Sequence, residues 1–140
     1  MRFSFLRWQK TCFRKNIFVN SQQEPLCGKR NLLADDDREV REVVRKLLAV
    51  DKHIVVEANN GAEAFSLFNQ NHFDLVVTDG RMPFVAGNEL AVRIRQVTPD
   101  QPILMLTGYG DRPGKNNPVN AVLRKPFDLS AFRTAMAMLF

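Results

Sequence analysis

The chain has 140 residues, 45% of them hydrophobic and 25% charged, with a formal net charge of +5. That length suits one domain with a real core, and no apolar run approaches the roughly 18–20 residues needed to span a bilayer. The opening MRFSFLRWQK is basic, but no uninterrupted apolar stretch or small-residue cleavage site follows, which argues against a secretory leader and for a cytoplasmic protein.

The charge is unevenly placed. Residues 1–30 hold seven basic residues and one acid, Glu24, for +6, which leaves −1 for residues 31–140. The basicity belongs to an arm, residues 1–29, expected to be poorly ordered, ahead of a nearly neutral domain over residues 30–140. Phe3, Phe5, Trp8, Phe13 and Phe18 interleave with the basic residues of the arm, a composition found in membrane-surface and nucleic-acid binders. No clean amphipathic period runs through it, so neither membrane contact nor DNA binding is expected. Cys12 and Cys27 also fall in the arm, outside any CxxC or Cys/His spacing, and read as a reduced pair without structural weight.

From Asn31 onward, short apolar runs alternate with helical patterns. NLLA reads as a buried strand ending in three aspartates. Val40, Val43, Val44, Leu47 and Leu48 then recur at the spacing of one helix face. IVVEA is a second strand, closed by the turn signal Asn59-Asn60-Gly61, and Ala64, Phe65 and Phe68 mark a second helix. DLVVTD is a third strand, followed by the Pro83–Gly87 loop and a helix carrying Leu90, Ile94 and Val97. PILMLTG and NAVLRKP are strands four and five, and the last helix buries Leu129, Phe132, Met136 and Leu139. The stretch YGDRPGKNNPVN between strands four and five carries too much proline and glycine for a full helix, so the fourth crossover helix is expected to be shortened or missing. Alternating strands and helices with continuous apolar strands imply an α/β fold, a parallel sheet covered on both faces. His53, at the mouth of a strand, and His72, in a turn, read as ordinary surface histidines.

Asp35 and Asp36 follow strand one, Asp79 closes strand three, Thr107 closes strand four and Lys125 closes strand five. Ligands of open parallel sheets bind beyond the carboxyl ends of the strands, so these residues converge on one pocket. Crowded carboxylates repel one another unless a divalent cation sits among them, and Mg²⁺ prefers such hard oxygen ligands. A lysine can neutralise a transferring phosphoryl group, a threonine hydroxyl can hydrogen-bond it, and an ionised aspartate can attack phosphorus. Metal, lysine and hydroxyl together are recurring parts of phosphoryl transfer.

The segments LLADDD, TDGRMP with GNEL, MLTGYGD and LRKPFDL resemble the motifs of the response-regulator receiver family over residues 31–140. The resemblance implies a doubly wound five-stranded sheet of order 2-1-3-4-5, flavodoxin-like, and Mg²⁺-dependent self-phosphorylation without a separate catalytic domain. It also implies a histidine kinase or phosphotransfer protein as phosphoryl donor. Asp79 then matches the phosphoacceptor, Asp35 and Asp36 the metal-side acids, and the carbonyl of Arg81 a further metal ligand. Thr107 matches the switch hydroxyl and Lys125 the phosphate-binding lysine, with a cis Lys125–Pro126 bond. Val122 stands where the family usually carries an aromatic switch residue. That departure and the shortened crossover imply a monomer, closest in feel to the C-terminal receivers of hybrid histidine kinases. The expected role is a single-domain shuttle or protein-binding switch. A detached hybrid-kinase fragment is the alternative, and a DNA-binding regulator using the arm a weaker one.

Overall fold

The computed structural model describes residues 27–108 and 118–140. They form, in chain order, β1 (Arg30–Ala34), α1 (Arg38–Val50), β2 (Ile54–Ala58), α2 (Gly61–Gln70), β3 (Leu75–Asp79), α3 (Gly87–Val97), β4 (Ile103–Thr107), β5 (Ala121–Arg124) and α4 (Leu129–Ala137). Three of the helix starts are set by a short polar side chain that takes up free N–H groups of the first turn. Asp37 accepts from Glu39 and Val40, Asn60 from Glu63, and Asp128 from Ala131. The strands pair in parallel in the order β2-β1-β3-β4-β5, so the expected doubly wound sheet is the one present. Most of the proline-rich connection between β4 and β5, with the expected loss of a helix there, lies outside the described residues, as do residues 1–26 of the arm.

Alternation along the central strands divides the core in two. Leu32, Val76 and Ile103 point to one face, where Ala64 and Phe68 of α2 and Leu90, Ala91 and Ile94 of α3 cover them. Leu33, Leu75, Val77, Leu104 and Leu106 point to the other, under Val44 and Leu48 of α1 and Phe132, Ala135 and Met136 of α4. The central strands β1, β3 and β4 are therefore buried on both sides. The edge strands β2 and β5 are not, and Ile54 and Val122 stay partly in water. On the return from α3, the Arg95 guanidinium gathers the carbonyls of Pro99, Gln101 and Pro118, which holds the chain entering β5 against the helix.

Some assignments shift. Val43 and Val97 are exposed, not core. In α1 the buried stripe is Arg41, Val44 and Leu48, which turns Val43 outward. Cys27 is disulfide-bonded rather than reduced; Cys12 lies outside the described residues.

His53 is also not a surface residue. It is 7% exposed, and its Nδ1 accepts the Lys29 amide at 3.0 Å. Burial holds its pKa below the ordinary value, with Asp51 working against that shift. Protonating Nδ1 would also set two N–H groups against each other. Below about pH 6.5 the unfolded chain takes up a proton that the folded chain refuses, so stability falls as pH drops toward the lowered folded value. The melting temperature is therefore expected to decline from pH 7 to pH 5. His53→Gln, which keeps an acceptor but cannot titrate, should flatten that slope. Parallel melting profiles for the two proteins would show that His53 does not contribute.

Candidate functional site

The carboxyl ends of β1, β3, β4 and β5 meet at one edge of the sheet. Asp35, immediately after β1, is fully buried, and Asp36 beside it is exposed. With Asp79, the last residue of β3, they present carboxylate oxygens that lie within 4.8 Å of one another. Lys125, just past β5, places Nζ 3.3 Å from Asp79 Oδ1 and 3.4 Å from Asp35 Oδ2. The Lys125–Pro126 peptide is cis. Thr107 ends β4, and the Lys125 amide donates to its carbonyl at 2.8 Å, which ties the two residues together. The Thr107 hydroxyl is buried and has no hydrogen-bond partner among the described residues. Buried polar groups in folded proteins are nearly always paired, so this hydroxyl is free to donate to an acceptor that enters the pocket. Arg81 is exposed, two residues beyond Asp79.

Burial pushes the Asp35 carboxyl above the usual range. The Asp37 amide, donating to Oδ1 at 2.9 Å, pulls it back, and Asp79 pushes it further up. For Lys125, burial favours the neutral amine, but the neighbouring Asp35 and Asp79 outweigh it and the pKa rises. The site thus gathers three acids, two of them paired with one secure ammonium. Such an excess of carboxylate oxygens fits a hard divalent cation, whose charge relieves the repulsion.

Two features of the surrounding structure have no counterpart in the list of polar site residues. Arg41 of α1 is buried, donates from Nη1 to the Asp35 carbonyl at 2.6 Å, and lies 3.4 Å from Glu57 on β2. It clamps the turn that carries Asp35 and Asp36. A sequence signal existed: Arg41 falls on the same helical stripe as Val44 and Leu48, an odd place for a charge. Gly87, which opens α3, packs against the Asp79 main chain, and a Cβ there would stand 2.2 Å from the Asp79 carbonyl oxygen. The Gly87 amide also donates to the Gly80 carbonyl, closing the loop after β3.

The fold has many counterparts among solved structures. The model of the response regulator receiver domain matches residues 32–137. The chain belongs to that family, the receivers of two-component signalling. It is 38% identical over 105 residues to the response regulator receiver protein CpdR of Brucella abortus, covering 72% of this chain and 88% of CpdR. It is 32% identical over 121 residues to the autoinducer 1 sensor kinase/phosphatase LuxN of Vibrio campbellii, covering 84% of this chain but 14% of LuxN. Among solved structures, the response regulator TrrA of Thermotoga maritima in complex with Mg²⁺ and BeF superposes with a TM-score of 0.75 at 29% identity, over 80% of this chain and 99% of TrrA. No helix among the described residues is long and apolar enough to cross a membrane.

Proposed function

We propose that the chain accepts a phosphoryl group on Asp79 from a phosphohistidine of a histidine kinase or phosphotransfer protein. The observation that carries this reading is the Asp79 carboxylate itself, flanked by the Asp35 and Asp36 acids and the Lys125 ammonium, with the Thr107 hydroxyl buried at the end of the neighbouring strand. In the transfer, an Asp79 carboxylate oxygen forms the new bond to phosphorus as the bond from phosphorus to the imidazole nitrogen breaks. The electron pair of that bond returns to the imidazole. Lys125 neutralises charge on the moving group, and the Thr107 hydroxyl donates a hydrogen bond to a phosphoryl oxygen. Asp35, Asp36, Asp79 and the Arg81 carbonyl are the groups that would hold Mg²⁺, which supplies further charge neutralisation when bound. The acceptor and the groups that assist it belong to one domain, read as residues 30–140, and the residues just ahead of it dock on it, the Gly28 amide donating to the Asp51 carbonyl and the Lys29 amide to His53 Nδ1. No separate catalytic domain is required.

We read the protein as a cytoplasmic monomer that works as a phosphoryl shuttle or protein-binding switch without binding DNA. The high coverage of CpdR favours this stand-alone reading. The match to a small part of LuxN favours a second one, a receiver segment of a longer kinase.

The test is incubation with acetyl phosphate and Mg²⁺, followed by intact mass. A gain of one phosphoryl group that EDTA abolishes supports the reading, and an unchanged mass rejects it. Asp36→Ala removes one acid from the cluster and should weaken Mg²⁺ binding by about tenfold or more in calorimetry, since few protein ligands hold this ion. Unchanged affinity would remove Asp36 from the metal site.

A further inference from the structure

Phe84 is 87% exposed, more than any other large apolar side chain among the described residues. Its backbone is also unusual, with φ of 69°. The Val85 amide donates across it to the Pro83 carbonyl at 2.8 Å, a three-residue turn of the rare, strained hand. A bulky residue at positive φ is a genuine outlier, and glycine or asparagine would sit there at less cost. The fold therefore carries two unfavourable features at one residue, backbone strain and an aromatic ring in water.

The surrounding chain leaves this residue no escape. Val85 is buried, and its carbonyl faces Gly61 so closely that a Cβ on Gly61 would stand 2.3 Å away. On the other side, Gly87 is locked against Asp79 and Gly80. With Val85 turned inward and Gly87 fixed, Phe84 is held at the tip of the loop that leaves Asp79. Neither the strain nor the exposure contributes to the core.

We propose that Phe84 is a docking anchor for the phosphohistidine-bearing donor protein, inserting into an apolar recess beside the donor's histidine. The inference rests on the phosphohistidine reading given above. Its force comes from position: the loop of residues 80–86 leaves directly from Asp79 and closes beside it, so a protein bringing a phosphohistidine to that carboxylate has this loop as its neighbour. A small phosphodonor reaches the same carboxylate without touching the tip. Fixing the ring in advance means that little conformational freedom is lost on binding, and burying it supplies affinity.

The experiment compares wild type with Phe84→Asn, which suits the left-handed backbone and should melt no lower than wild type. Phosphorylation is followed first with acetyl phosphate and Mg²⁺. It is then followed with a panel of purified, radiolabelled histidine kinases and phosphotransfer domains encoded with the chain. Expected is a loss of about tenfold or more in kcat/KM with every donor protein that labels the wild type, at an unchanged acetyl phosphate rate. Equal rates with donor proteins overturn the proposal. An equal fall with acetyl phosphate also overturns it, because Phe84 would then act inside the site. If acetyl phosphate labels the wild type while no donor protein does, the phosphohistidine reading fails and the anchor with it.

Discussion

Asp79→Asn is expected to reduce phosphorylation by acetyl phosphate to background. An amide is a poor nucleophile toward phosphorus, and it offers N–H donors where the acceptor must be an anion. Its loss should not unfold the protein. Asp79 raises the pKa of buried Asp35, so removing its charge relieves a repulsion while Lys125 keeps Asp35 as a partner at 3.4 Å. The variant should melt at or above the wild-type temperature yet gain no mass. Labelling at the wild-type rate would mean that another residue is the acceptor.

Gly87→Ala should damage both fold and chemistry. The new Cβ would lie 2.2 Å from the Asp79 carbonyl oxygen and 3.1 Å from the Gly80 Cα. Both are main-chain atoms, so no side chain can swing aside to make room. Either α3 or the end of β3 must move, at a cost of about 2 kcal/mol or more. Because the nearest displaced atom is the carbonyl oxygen of Asp79 itself, the phosphorylation rate of the folded fraction should drop about tenfold to a hundredfold. Gly80→Ala is the control, since its Cβ would meet nothing nearer than the Met105 sulfur at 3.6 Å, an ordinary contact. Chemical denaturation and phosphorylation rates on both variants check this. Equal behaviour of the two would show that the close approach at Gly87 is tolerated.

The order and type of the elements were legible because central strands and helix faces carry periodicities set by burial. LLA, LVV and ILML are continuous apolar runs, as strands covered on both faces must be. Asp35, Asp79, Thr107 and Lys125 were legible in position for a related reason: a polar residue that ends a strand's apolar run falls at the sheet's carboxyl edge, whether buried like Asp35 or not. What escaped was tertiary. Val43 obeys the helix period as well as Val44 does, and only the rotation of α1 against the sheet, with Arg41 turned inward, leaves it in water. His53 looked like a strand-mouth surface residue because its partner, the Lys29 amide, lies 24 residues away. The close approach of Gly87 to Asp79 was likewise invisible, because a glycine after a loop announces a turn but not what it packs against.

The most direct measurement is to map the phosphorylated residue chemically. Borohydride reduction of an aspartyl phosphate converts that aspartate to homoserine, which peptide mass spectrometry can place in the chain. After reaction with acetyl phosphate and Mg²⁺, the account predicts homoserine at position 79 and aspartate at positions 35 and 36. Homoserine at another position, or a phosphoryl group on histidine or serine with Asp79 intact, would contradict it.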